Sequence, residues 1–204
     1  MNTQSIPIDD DVASLPVAPE SIQLIDTANE AIESFLSHSD ETFENFVPCD
    51  FHLLDQTLTW IGQRQLAAGN RFCEWGAGFG VVAMLAAIHG MESTAIELEP
   101  SLWEQSMILG QRLGSSAEFV CGSFIPRELS DLERWGSQVN NVDSSAGDTY
   151  DEMDQQIEDF DLIFAFPWPG EADFFEMIFR ERASSGAMLL TYHGREGVRL
   201  LRRL

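Results

Sequence analysis

The 204-residue chain has no lysine: all 11 of its basic residues are arginines, set against 34 aspartates and glutamates, for a formal charge of −23. Nucleic-acid affinity comes largely from neutralising phosphates with Lys and Arg, so this balance argues against DNA or RNA held unaided. Anionic membrane surfaces are disfavoured on the same ground. No apolar run approaches the ~20 residues of a spanning helix. The first eleven residues hold Asp9, Asp10 and Asp11 with no base and no apolar centre, which is not the pattern of a secretory signal. Cysteine is scarce and odd in number, and Cys49, Cys73 and Cys121 show no CxxC spacing. A disulfide scaffold and a zinc site are thereby disfavoured; no metal is expected, and a reducing, cytoplasmic setting fits best. The charge leaves open a basic protein, a cationic ligand or a small molecule as partner.

Hydrophobic residues make up 44% of the chain, enough to bury a core, and the length fits one domain with an extension. Charge is unevenly spread: residues 1–60 hold 12 acids and no arginine, 131–161 hold 10 acids and one arginine, and the last 25 hold six of the 11 arginines. The first 18 residues read as a flexible tail. Ile22, Ile25, Ala28, Ile32 and Phe35 with Leu36 then follow helical spacing, so residues 1–45 are expected as an acidic tail and helix. A second helix is expected after Pro48, with Phe51, Leu54, Leu58 and Ile61 on one face and Gly69-Asn70 as its stop.

From residue 71 the patterns alternate. Strands are expected at 71–74, 94–97, 118–121, 161–166 and 187–192. Helices are expected at 81–88, 102–113, 127–135 and 172–183, the second with Ser101 and Glu104 as its capping box. Such alternation specifies an α/β fold over 46–204, a doubly wound and mostly parallel sheet covered on both faces. Residues 136–160, rich in Gly, Ser, Asn and Asp, read as a mobile acidic insertion, with a plain solvated tether as the alternative. Residues 195–204 place Arg195, Arg199, Arg202 and Arg203 around Val198, Leu200, Leu201 and Leu204, the pattern of an amphipathic helix.

The segment Phe72-Cys73-Glu74-Trp75-Gly76-Ala77-Gly78-Phe79-Gly80 is the most informative. A strand ends and the chain turns through glycines into a helix. Glycines permit positive φ and let a ligand lie against the backbone, and N–H groups at a helix start favour polar or negative ligand groups. That geometry suits a nucleotide-like cofactor at the carboxyl edge of a parallel sheet. Glu74, two residues before the first glycine, can anchor the loop or a cationic group. Glu97 closes the next strand, where a carboxylate can accept both hydroxyls of a ribose.

At these residues the chain resembles the class I S-adenosylmethionine-dependent methyltransferases. Their acid-x-Gly-x-Gly-x-Gly turn is matched by Glu74, Gly76, Gly78 and Gly80, and their strand-closing acid by Glu97. The dinucleotide turn is Gly-x-Gly-x-x-Gly instead, and a sulfonium cofactor carries no pyrophosphate. A closer resemblance is to the seven-strand (non-SET) lysine methyltransferase-like group, through Phe46-Val47-Pro48 and Ala95-Ile96-Glu97-Leu98-Glu99-Pro100. The resemblance implies a Rossmann-like fold and S-adenosyl-L-methionine as cofactor, bound along Glu74, Trp75, Gly76, Ala77, Gly78, Gly80, Glu97 and Leu98. Family members often end the third strand in Gly-Asp, whose aspartate contacts adenine; here Ser123 can hydrogen-bond and Phe124 can stack on the base or belong to the core. Members also add a strand hairpin after the fifth strand. The chain stops soon after residue 193, so a sheet lacking the C-terminal hairpin is expected.

The substrate half is less marked. Phe166, Pro167 and Trp168 follow the fourth strand and can wall a substrate pocket, with Trp168 offering a cation–π face, or form a rigid packed turn. Phe166 stands where amide- and base-modifying members carry an acid or amide. Glu171 and His193 are candidate bases, His193 because it titrates in the useful range; His38, His52 and His89 have no convergent context. The expected activity is methyl transfer to an N or O nucleophile on a protein or small molecule, with a slight lean towards a basic protein. The rival readings are a non-catalytic S-adenosylmethionine-binding or interaction module and, less favoured by the glycine spacing, a nicotinamide dehydrogenase. The oligomeric state is not legible.

Overall fold

A computed structural model describes residues 2–38, 47–126, 129 and 149–204. Seven strands form one sheet in the order β1 (Thr3–Ile6), β7 (Val198–Arg203), β6 (Met188–Tyr192), β5 (Leu162–Ala165), β2 (Arg71–Trp75), β3 (Glu92–Glu97) and β4 (Glu118–Cys121). The strands from β6 to β4 run parallel. β7 runs antiparallel to both β6 and β1.

Alternate residues of the central strands enter two separate cores, as the pleat requires of a sheet covered on both faces. Phe72, Leu162, Phe164, Met188 and Leu190 pack with α1 (Pro19–His38), α2 (Phe51–Gln63), α3 (Val81–Ile88) and α4 (Pro100–Leu113). Cys73, Trp75, Ile163, Ala165 and Leu189 pack on the opposite face. Their partners there are α5 (Thr149–Glu152) and α6 (Ala172–Arg182). The chain leaves β2 for β3 on one side and reaches β5 on the other, so a topological switch point lies at the carboxyl end of β2.

The expected sheet without a C-terminal hairpin is overturned. β6 and β7 form an antiparallel hairpin, with Leu189 opposite Leu201 and Leu190 opposite Leu200. Residues 198–203 are therefore a strand, not an amphipathic helix: Leu200 is buried, and pairing to strands on both sides outweighs a short helical pattern. The outermost strand comes from the other end of the chain. Thr3–Ile6 pairs with β7, and the Leu204 N–H donates to the Asn2 carbonyl at 3.0 Å. The N-terminal stretch is thus no loose tail. It runs back along α2, where Asp9 accepts from Trp60 Nε1 at 3.0 Å and pairs with Arg64, while Gln56 Nε2 donates to the carbonyls of Ala13 and Leu15.

Smaller differences have local causes. α1 buries Leu24, Ile25, Ala28 and Ile32 but turns Ile22 and Leu36 outward. α2 ends at Gln63, before Gly69-Asn70, and Gln65 takes the left-handed conformation at φ 50°. Gly69 is instead small because the Asp161 carboxylate lies against it. α4 starts at Pro100 with Glu99 as its N-cap rather than a Ser101–Glu104 box, and Ser101 Oγ donates to Glu99 Oε1 at 3.0 Å. The expected helix at 127–135 lies outside the described residues except for Leu129, and so do residues 136–148 of the acidic stretch. Residues 149–160 are folded, with Tyr150, Ile157 and Phe160 buried and the Tyr150 hydroxyl donating to the Phe124 carbonyl at 2.8 Å.

Candidate active site

At the switch point the chain leaves β2 through a turn in which Gly76, Gly78 and Gly80 have φ of 67°, 54° and 66°. Only glycine adopts three such values at little cost. A Cβ on Gly76 would meet nothing, so this position opens on a cleft. Gly80 has a different reason to be glycine. It is the N-cap of α3, and a Cβ there would lie 2.6 Å from Cε1 of Phe119, whose ring also fills the space left by Gly110.

Backbone donors of the turn are used internally. The N–H groups of Gly76 and Ala77 both donate to the Ile96 carbonyl at 3.0 Å, and that of Gly80 donates to the Ala77 carbonyl at 2.7 Å. Gly78 N–H donates to Glu97 Oε2 at 2.6 Å, and Glu99 N–H to Glu97 Oε1 at 2.8 Å. The start of α3 is likewise occupied: Ala83 N–H donates to Glu74 Oε2 at 2.8 Å, and Val82 N–H also bonds this carboxyl.

Both acids are nearly shut off from water, at 4% exposure for Glu74 and 8% for Glu97. Burial pushes the Glu74 carboxyl up to about 8, against the pull of the Ala83 N–H and with the Glu97 charge adding to it. Burial also raises Glu97, opposed by the N–H groups of Glu99, Gly78 and Leu98. Among the described residues neither acid has an ion-pair partner.

The cleft has a volume of about 1040 Å³, at the upper end of the ~300–1,000 Å³ usual for small-molecule sites. Glu74, Trp75, Gly76, Ala77, Gly78, Glu97 and Leu98 line it, whereas Gly80 faces Phe119. Ser123 and Phe124 reach it from the end of β4. Ser123 Oγ accepts from the Ile125 N–H at 3.2 Å, and Phe124 stacks on Trp75 (5.2 Å between centroids) and on Phe175 (5.0 Å). Phe124 is therefore a core residue that also borders the cleft.

The other half of the wall holds Phe166, Pro167 and Trp168, Glu171 just before α6, and His193 after β6. Phe166 meets Tyr192 edge-on at 4.9 Å. Glu171 is buried. His193 Nε2 and Thr191 Oγ1 are 2.8 Å apart, and burial with the nearby Arg199 holds the imidazole below its usual range, which favours its neutral form. Cys49, Phe51, Glu99, Glu196 and Arg199 also line the cleft and lie outside the expected set. Glu196, from the β6–β7 turn, and Arg199, at the start of β7, are 2.8 Å apart. Gly194 and Gly197 mark that turn in the sequence, and reading 195–204 as a helix hides it. Nothing in the local pattern marks Cys49 and Phe51, which reach the site through the approach to α2.

No family model matches the chain, and no curated protein matches its sequence. Solved structures do match. An RNA methyltransferase from Salinibacter ruber in complex with S-adenosyl-L-homocysteine superposes with a TM-score of 0.51 at 16% identity, over 77% of this chain and 92% of that one. A hypothetical protein of Thermus thermophilus gives 0.52 at 15% identity, over 81% and 92%. A Podospora anserina methyltransferase bound to S-adenosylhomocysteine gives 0.52 at 14% identity, over 91% and 71%. Identities this low carry the fold. The chain has the α/β, Rossmann-like methyltransferase fold, with a seven-stranded mixed sheet.

Proposed function

We propose that the cleft binds S-adenosyl-L-methionine along Glu74, Gly76–Gly78 and Glu97 and that the protein is a methyltransferase acting on an N or O nucleophile of a protein or small molecule. One observation carries the choice of cofactor: two buried carboxylates flank a glycine turn whose N–H groups at Gly76, Ala77, Gly78 and Gly80 are already bonded within the protein. A pyrophosphate needs free N–H donors and an unopposed helix start; here the start of α3 is capped by Glu74. That arrangement leaves the phosphates of a dinucleotide without donors and fits a ligand with an ammonium, a sulfonium and ribose hydroxyls. The solved neighbours that hold S-adenosylhomocysteine support the same reading.

When bound, the cofactor would supply an electrophilic methyl group on a sulfonium, with a neutral thioether as the leaving group. Protein groups then have two tasks, alignment and proton removal. Phe166, Pro167 and Trp168 form the acceptor wall, and neutral His193, with Thr191 fixing its ring, is the group able to take the acceptor's proton at pH 7. Glu171 is the second candidate base.

The acceptor class rests on charge. A net charge of −23 and a cleft with five glutamates among its lining residues oppose an RNA substrate, although one neighbour is an RNA methyltransferase. A cytoplasmic setting is supported by three free cysteines. Similarity to the lysine methyltransferase-like group rests on the 95–100 segment and on Phe46-Val47-Pro48, and favours a basic protein. One argument for a mere binding module falls with the hairpin, which is present.

Titration calorimetry with S-adenosylmethionine, S-adenosylhomocysteine and NAD tests the cofactor. Micromolar binding of the first two alone is expected. Binding of NAD alone would revive the dehydrogenase, and no binding of any would leave an interaction module.

A further inference from the structure

Glu74 sits where a fixed negative charge has no counterpart. On its own strand its titratable neighbour is Cys73, buried and with its thiol pushed well up by burial. From the approach to α2 it is faced by Cys49, a half-buried residue whose thiol is raised by burial and by the charge of Glu74. From β3 it is faced by Glu97, with Glu99 next along the chain. Residues 81–88 of α3 and 162–165 of β5 contain no ionisable side chain, so these elements offer Glu74 only backbone N–H groups. Glu97 holds the better set of donors, from Gly78, Glu99 and Leu98. Two adjacent buried carboxylates without a cation do not both ionise at neutral pH, and the one with weaker solvation keeps its proton.

We propose that Glu74 distinguishes the cationic cofactor from its neutral thioether product by changing its own protonation: it is a carboxylic acid in the empty cleft and a carboxylate when S-adenosylmethionine is bound. This inference rests on the cofactor reading above and extends it. S-adenosylmethionine carries an ammonium, a sulfonium and a carboxylate, for a net charge of +1, and S-adenosylhomocysteine lacks the sulfonium and is neutral. Entry of the cation makes ionisation favourable, and the O–H bond of Glu74 breaks with its proton leaving to solvent. The cleft then holds the carboxylate against the cation. After methyl transfer the sulfonium charge is gone, Glu74 takes a proton back from solvent, and the attraction that held the cofactor is lost. The anchoring of Glu74, from β2, to the start of α3 is unchanged throughout, because its Oε2 accepts from the Ala83 N–H in either state.

The experiment is calorimetry at pH 6.5, where the free ligands' amino group (ordinarily ~8) is already protonated, in two buffers of different ionisation heat. Release of about one proton per S-adenosylmethionine is expected, with less for S-adenosylhomocysteine and none for Glu74→Gln, whose amide oxygen keeps the bond to Ala83. Taken between pH 6.5 and 7.5, the ratio of the two affinities is expected to rise by up to ~10-fold, one proton per pH unit; the shared amino group cancels in that ratio. Infrared difference spectra of the unaltered protein provide a check that needs no variant: a protonated-carboxyl band should vanish on adding S-adenosylmethionine. Binding without proton release, or release that persists in Glu74→Gln, overturns the proposal and leaves the cofactor assignment standing. Failure of both ligands to bind removes the cofactor assignment as well.

Discussion

Gly80 and Glu97 show how two residues of one motif serve different ends. Gly80 is left-handed at φ 66°, and a Cβ on it would lie 2.6 Å from Cε1 of Phe119. Gly80→Ala should therefore destabilise by about 2–4 kcal/mol, from positive-φ strain and overpacking together, read as a lowered thermal midpoint. Adding Phe119→Leu should recover the packing part and leave the strain. Because Gly80 does not line the cleft, cofactor affinity of the folded variant should stay within about twofold. Glu97 is the converse case. Glu97→Ala removes the acceptor for Gly78 and Glu99 N–H and the carboxylate offered to ribose, worth ~1.5–3 kcal/mol, so affinity should fall by ~10-fold or more in calorimetry. Unchanged affinity would take Glu97 out of the site. The turn is legible in sequence because its demands are local: positive φ and two strand-end acids need particular residue types at fixed spacing. The double duty of Gly80 is not, since Phe119 approaches it from another strand.

At the scale of elements, what can be read is what repeats within one segment. The alternation from residue 71 onward reflects strands buried on both faces, and the observed β4 and α3 coincide with their expected ranges. β1 and β7 escape because six residues with Val198, Leu200 and Leu201 fit helical and extended spacing alike. What decides between them is pairing between the two ends of the chain, from Thr3 opposite Arg203 to Ile6 opposite Leu200. The contact has a consequence for assembly. Deleting residues 1–6 leaves β7 as an edge with unpaired N–H and C=O groups, a template for pairing with another chain. The shortened protein should show a lower thermal midpoint and concentration-dependent association by light scattering. A protein that stays monomeric with an unchanged midpoint would mean that β1 contributes nothing to the sheet's integrity.

For the whole molecule, the acidic composition and the buried acids push in the same direction as pH changes. Repulsion within a chain of net charge −23 weakens as carboxylates gain protons. Glu74 adds a specific part: its folded value of about 8 lies above the ordinary 4.5. Between those values the folded protein holds a proton that the unfolded chain has lost. Stability from this group is therefore complete below 4.5 and is lost as pH rises through about 8, by up to ~1.4 kcal/mol per unit. Asp55 acts oppositely at the acid end. It is buried and accepts from His89 Nε2 at 2.8 Å; burial opposes its ionisation, but the His89 bond and the nearby Ser21 hydroxyl outweigh that, so its carboxyl lies below the usual 3.8. Its stabilising contribution is present above 3.8 and disappears as pH falls through the lower, folded value. The thermal midpoint of the ligand-free protein should thus climb as pH is lowered from about 8 to about 5 and fall again below about 4. Added salt should raise the midpoint most near the upper end of that range, where unscreened repulsion is greatest. Glu74→Gln should flatten the upper limb without touching the lower one, whereas Asp55→Asn should do the reverse. A midpoint that instead rises steadily to about pH 8, in scanning calorimetry at fixed ionic strength, would show that Glu74 is ionised in the folded protein and that the cleft finds its balancing charge without a ligand.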